Sequence, residues 1–401
     1  MDWTVIQQEL DGLPPEQSII EPLCELMQDE ALRVKAGTSQ GLRPHSRAAV
    51  RSAVEVVRQL IDQDQIDAAR SLYTTHLSEG GYGYNAFREL GAIEEGLACN
   101  LMFVGNATRR QRLEEAIGKV PVSAHCASVS LYHYYLGNLV QALDWRQISL
   151  NIRKQLQHTA IQAYDLREIA WYQTCMGCLQ EARASAILAI GLSNNMENQR
   201  SAYAFKAYDE FLLGYVEQAT QDFHTALSYE RQRKPDERYL CAIEGHLQAE
   251  CLIRMQDWDH FDRVNDWNIQ QCQTHQWLAS LDFCCLLQAW ASIERNAYEH
   301  AQAGLQQINE RLCDYGMVDR ICRLDWVWGH LACAQGQTDK GLQHTNNALD
   351  IAVKKELRLW QADLLSLRAR LLSQRGDQQQ AKANIKAATT IAAETGYAWV
   401  T

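Results

Sequence analysis

Apolar side chains along this chain come at helical spacing, in stretches divided by short polar turns that return at almost fixed intervals. The clearest turn is Gly336-Gln-Thr-Asp-Lys-Gly341. Related turns begin at Gly137, Gly177, Gly214, Gln256 and Asn296 before it and at Gly376 after it, so the intervals are 40, 37, 42, 40, 40 and 40 residues. Repetition on this scale predicts a solenoid, because a single helical hairpin cannot bury its apolar face alone and must stack on its neighbours.

The repeat carries internal detail. Seven residues before each turn stand Ser130, Ala170, Ala207, Ala249, Ala289, Gly329 and Ala369, all small. Small side chains there let the two helices of a hairpin approach closely. Five residues after each turn begins come Ala142, Ala182, Ala219, Phe261, Ala301, Gly341 and Ala381, where only the fourth departs. Further along the second helix, pairs such as Ala189-Ile190 and Ala348-Leu349 put a small residue beside a large one, suited to packing the next hairpin.

Outside the regular array, residues 1–36 read as one or two short helices with Leu10, Leu13, Ile19, Ile20, Leu23, Leu26 and Met27 as their apolar set and Pro14-Pro15 as the break. Gly37 to His45 is the clearest loop and the expected boundary, giving an N-terminal segment over 1–47 and a repeat domain over 48–401. A helix is predicted from Ser46 to about Asp62, and Asp64 to Ala69 imitates the later turns. Gly80 to Gly83 reads as a loop, followed by helices near Phe87 to Val104 and Arg109 to Gly118. About nine hairpins are expected.

This pattern resembles that of the tetratricopeptide-repeat family, whose units are about 34 residues long. The longer period here is similar to extended units in the sensor region of MalT-like regulators and of signal-transduction ATPases with numerous domains. HEAT or armadillo units are the alternative. The resemblance implies an all-α, right-handed α-solenoid that binds a protein or peptide along its concave face. Positions six, ten and thirteen before the turn face that surface in the family. They yield Arg167, Trp171, Tyr208, His246, Glu250, Trp290, Arg323, Trp326, His330 and Arg370 as candidate ligand contacts. A structural face would be uniformly apolar, whereas this row mixes aromatic side chains with Arg, His and Glu, as binding hot spots do.

Composition narrows the function classes. The net charge is -11, from 38 basic and 49 acidic side chains, the reverse of a chain that holds phosphate backbones. Direct nucleic-acid binding is therefore not expected. No apolar run reaches the roughly 18 residues needed to span a bilayer, and no secretory signal pattern opens the chain, so a soluble cytoplasmic protein is expected. Thirteen scattered Cys fit a reducing compartment.

The single C-x-x-C, Cys175 to Cys178, straddles a hairpin turn and lacks a second pair at metal spacing. Asp257-Trp-Asp-His260 is a polar turn. No phosphate loop, helix-turn-helix after the array, H-E-x-x-H or nucleophile elbow is present. Neither an enzyme nor a cofactor is expected. The reading is a scaffold or sensor-adaptor in a signalling or defence system, with a protein or peptide partner. A small-molecule sensor taking an anionic ligand is the alternative. The outer face of the last hairpin, with Ile385 and Ile391, is expected to be covered by a partner, by a second copy through self-association of the C-terminal repeat, or by a continuation of the array.

Overall fold

The computed structural model describes Pro44 and residues 46–78, 85–275 and 277–400. The helices expected within 1–36, the loop before Pro44 and the Gly80–Gly83 loop lie outside the described residues. Among the described residues the fold is all-α, with one isolated bridge between Ser78 and Asn85. The chain divides into two compact units, Met1–Tyr132 and His133–Thr401.

In the first unit, α1 (Arg47–Asp62) starts where Ser46 caps it, its side chain accepting from the Ala49 amide at 3.1 Å. Then follow α2 (Ile66–Leu72), a wide π turn (Tyr73–Leu77), α3 (Ala86–Glu89), α4 (Ile93–Val104), α5 (Ala107–Ile117) and most of α6 (Lys119–Tyr135), whose last three residues fall in the second unit. Val50, Ala53, Val57 and Leu60 recur at helical spacing on α1 and are fully buried. Gly96 is required by packing, since a Cβ there would lie 2.7 Å from the Tyr132 ring.

The second unit is an all-α solenoid. After α7 (Leu139–Gln155) come six hairpins: α8 (Thr159–Cys175) with α9 (Leu179–Leu192), α10 (Met196–Leu212) with α11 (Val216–Arg233), and α12 (Ala242–Met255) with α13 (Trp258–His275). The set continues with α14 (Leu278–Glu294) and α15 (Tyr298–Asp314), α16 (Val318–Ala334) and α17 (Thr338–Lys354), and α18 (Arg358–Arg375) and α19 (Gln378–Thr395). The small residues seven before each turn within this unit are buried, as are those five after it. Phe261, fully buried, fills the one large position in that second set.

Every hairpin turn begins with a residue in the left-handed region, from Gln256 at φ 58° to Gly376 at φ 94°. There the chain stops one helix: the amide of Cys178 bonds back to the Gln173 carbonyl at 2.8 Å and that of Gly177 to Thr174 at 2.9 Å. Gln256 and Asn296 adopt the same geometry without glycine's freedom.

A second reason for glycine was not visible in the repeat pattern. A Cβ on Gly137 would lie 2.9 Å from Val318, one on Gly177 2.8 Å from Thr395, and one on Gly214 3.1 Å from Ala398. The first turns of this unit thus abut its last repeats. Lys355 donates to Asn138 at 2.8 Å, the Ala398 amide to the Leu212 carbonyl at 2.9 Å, and the Trp399 indole to the Phe211 carbonyl at 2.6 Å. The Trp399 ring stacks on Phe211 at 4.3 Å. Residues 397–400 therefore run back onto the C-terminal end of α10.

Two measurements test this register. Ala289 is buried, and a Cβ added to Gly304 would lie 4.0 Å from its own. Ala289→Leu should destabilise by roughly 1 to 3 kcal/mol through overpacking, while Gln379→Leu on the exposed face should be nearly silent. Equal melting temperatures would contradict the crossing position. For the turns, Gln256→Gly should raise the denaturation midpoint by relieving about 0.5 to 1 kcal/mol of backbone strain. Gly336→Ala, where a Cβ meets nothing within 4 Å, should lower it by a similar amount. Shifts of the same sign would show that something other than backbone conformation governs these positions.

Candidate functional site

Five of the first helices in the second unit, α8, α10, α12, α16 and α18, line a common small cavity of about 40 Å³. Its lining includes Trp171 of α8, Tyr208 of α10, Glu250 and Arg254 of α12, Asp319 and Arg323 of α16, and Trp360 and Asp363 of α18. Tyr397 of the returning C-terminal segment completes it. A space of that size admits a water or two.

A charged cluster lies against the cavity. Arg323 donates to Glu250 at 2.6 Å; Arg254 donates to Asp363 at 2.9 Å and more weakly to Glu250 at 3.4 Å. The Tyr397 hydroxyl donates to Asp363 at 2.9 Å. Burial opposes charge on both carboxyls. At Glu250 the guanidinium groups of Arg323 and Arg254 outweigh it and hold the carboxyl below the ordinary range, whereas at Asp363 burial wins and the carboxyl is raised. The Nε atoms of Arg254 and Arg323 are buried and have no protein acceptor.

Aromatic faces hold the two guanidiniums in place. Arg323 lies 4.7 Å from the Trp360 ring centre and 5.1 Å from that of Phe283, and Arg254 lies 5.3 Å from Trp290. Such stacking keeps a cation fixed where water is scarce.

Of the residues expected at the site, Trp171, Tyr208, Glu250 and Arg323 meet at the cavity. Trp290, Trp326 and His330 form an adjoining stack: Trp326 packs edge-on to Trp290 at 4.8 Å, against His330 at 4.2 Å and against Trp360 at 5.8 Å. Arg167 bonds Glu168 at 2.7 Å and lies over Tyr164 at 4.4 Å. His246 turns from the cavity toward Cys284, 3.3 Å from its sulfur. Burial, with Arg320 and Arg323 nearby, pushes His246 down to about 3, and burial with Arg370 and Arg254 nearby does the same to His330.

Arg370 is elsewhere. It lines an open groove of about 490 Å³ between α18 and α19 with Ala369, Lys382 and Ile385. Ile385 is 38% exposed there, but Ile391, expected on the same uncovered surface, is 7% exposed and belongs to the core of the unit itself.

Several lining residues escaped the sequence reading. Asp319 and Trp360 stand seventeen and sixteen residues before their turns, one helical turn beyond the last position considered. Continuing the series six, ten, thirteen by one step would have found them. Arg254 stands two residues before its turn, one helical turn past the six-before position on the same face, whereas Tyr397 lies outside the repeat register.

No protein-family model matches this sequence, and no curated protein matches it. Among solved structures, the chain is similar to a Rap protein complexed with Competence and Sporulation Factor, with a TM-score of 0.58 at 13% identity, over 87% of this chain and 99% of that one. A tetratricopeptide repeat protein from Parabacteroides merdae matches with a TM-score of 0.39 at 15% identity, over 67% of this chain and 93% of that one. No helix among the described residues is long and apolar enough to cross a membrane. The hairpin repeats and the likeness to the Rap structure agree on one fold, an all-α helical-repeat solenoid.

Proposed function

We propose that this chain is a non-enzymatic sensor or adaptor that binds a protein or peptide segment at the Trp171–Arg323 cavity, in a cytoplasmic signalling or regulatory system. The observation that carries this reading is the composition of the cavity wall. Two carboxylates and two guanidiniums are buried where apolar side chains of similar volume would serve stability as well or better, by about 1 to 4 kcal/mol in comparable cases. At the thirteen-before position that Arg323 and Asp363 occupy, other repeats carry Ile243 and Phe283. A charged, aromatic wall is suited to recognition.

The chemistry of the wall defines the ligand. An apolar side chain fits between Trp171, Tyr208 and Trp360, and a carboxylate beside it competes with Glu250 and Asp363 for Arg254 and Arg323. Glu250 disfavours a ligand that is negative throughout. The likeness to a solenoid that holds a bound factor supports this use of the fold. A small-molecule sensor of the MalT-like kind would use the same residues, yet about 40 Å³ is far below the roughly 300 to 1,000 Å³ of such pockets. Either ligand requires the array to open, and the seal is the return of residues 397–400 onto α10.

The test begins with a partner captured from the native host. Its affinity is then measured for the wild type, Trp171→Ala, Trp360→Ala and Gln307→Ala, each checked for helix content by circular dichroism. Loss of either Trp should weaken binding by about 2 kcal/mol; Gln307, exposed on α15, should not matter. Folded Trp variants with unchanged affinity, together with loss in Gln307→Ala, would place the interface elsewhere. In the same assay Trp399→Ala should tighten binding, because it relieves the cost of populating the open state. Weaker binding by that variant would mean the ligand is held by the closed form.

A further inference from the structure

One register position of the array carries chemistry that its neighbours lack. The residue sixteen after a turn start, on the second helix, corresponds to the residue twelve before the next turn, on the following first helix. Between α7 and α8 this pair is Arg153 and Asp165, ion-paired at 2.6 Å. Between α11 and α12 it is Glu230 and Glu244, both held by Arg200. Between α15 and α16 it is Leu312 and Leu324, and between α17 and α18 Ala352 and Leu364, all buried. In the α9 repeat the second helix ends at Leu192 and does not reach the position.

Between α13 and α14 the pair is Cys272 and Cys284, both fully buried. Two thiols alone are small apolar fillers. Here His246 of α12 joins them, its Nε2 3.3 Å from the Cys284 sulfur, and the three ligand atoms all lie within 4.8 Å of one another. The imidazole is buried and spends this nitrogen on a sulfur, a weak hydrogen-bond partner.

We propose that His246, Cys272 and Cys284 form a binding site for a thiophilic closed-shell cation, Zn²⁺ or Cu⁺. With metal–sulfur and metal–nitrogen bonds of about 2.3 and 2.0 Å, ligand atoms around one such ion stand roughly 3.4 to 3.8 Å apart. Closing from the present separation takes a small inward turn of the side chains. Soft thiolate and imidazole donors select these ions over Mg²⁺ or Ca²⁺. Two thiolates neutralise Zn²⁺, which suits a buried site, and the two thiol protons leave on binding. The Arg320 guanidinium lies 5.5 Å from the ring of Phe283, the chain neighbour of Cys284.

The site is placed where the array is irregular. It joins α12, α13 and α14 around the turn that starts at Gln256 and the oversized Phe261. A metal there would lock one hairpin to the next beside Glu250 and Phe283 and so stiffen the region that carries the cavity.

The experiment uses the full chain, reduced and stripped of metal with a chelator. Zn²⁺, Cu⁺ supplied from a Cu⁺ chelator, and Co²⁺ as a coloured substitute for Zn²⁺ are titrated separately, with bound metal measured by elemental mass spectrometry. The expected result is a single equivalent of Zn²⁺ or Cu⁺, a thiolate-to-cobalt charge-transfer band and a raised melting temperature. These should be lost in Cys272→Ala/Cys284→Ala and weakened in His246→Ala, and kept in Cys313→Ala, whose thiol is exposed. No bound metal in the reduced wild type, or unchanged binding in the double variant, would overturn the proposal. Because the variants could fail to fold, wild-type alkylation with peptide mapping is the second readout. Metal should protect Cys272 and Cys284; protection of other cysteines instead, or a Cys272–Cys284 disulfide persisting under reductant, would also overturn it.

Discussion

Four buried charges, Glu250, Arg323, Arg254 and Asp363, tie together parts of the array that lie as much as 109 residues apart. Each ion in such a setting loses several kcal/mol of hydration, and only close pairing makes its burial tolerable. Removing Glu250 leaves Arg323 without its ion-pair partner, and removing Arg254 does the same to Asp363. The cluster therefore requires α12, α16 and α18 to be near one another, and Tyr397 then finds Asp363 as an acceptor. Open stacking of hairpins with a wide groove would leave these groups in water. Their pairing marks a unit drawn in on itself.

That closure explains details that the repeat alone does not. Gly137 and Gly177 face the last repeats at distances that exclude a Cβ and Gly214 faces Ala398 at one that crowds it, whereas Gly336 and Gly376 face open space. Gln256 and Asn296 occupy the same left-handed turn geometry without glycine. The turns thus divide by their surroundings. The seal itself is a short segment with one indole ring stacked on Phe211 and two hydrogen bonds to α10. A metal at His246, Cys272 and Cys284 would act on the neighbouring hairpin junction, holding Glu250's helix fixed while the far end moves.

Much of the fold was legible in the sequence, for a physical reason. A hairpin turn needs a left-handed residue, and a close helix crossing needs a small one, so Gly137 to Gly376 and Ser130 to Ala369 reveal the array by local requirements that recur. The candidate site was legible only in part. Trp171, Tyr208, Glu250 and Arg323 share the helix face that the register identifies, but the same register cannot say whether a side chain meets a groove, a neighbour or a distant repeat. His246 faces a thiol and Arg370 a separate groove for that reason. Contacts such as Lys355 with Asn138, 217 residues apart, leave no periodic trace.

The central claim is that the second unit is closed by residues 397–400 against α10, with the charged cluster beneath. Amide hydrogen exchange of the free wild-type chain measures this directly at the Ala398 amide, which donates to the Leu212 carbonyl. The account predicts that peptides covering residues 396–400 exchange slowly in the wild type and quickly in Trp399→Ala, while α10 keeps its protection in both. Exchange of that segment in the wild type at the rate of an unstructured peptide would contradict it.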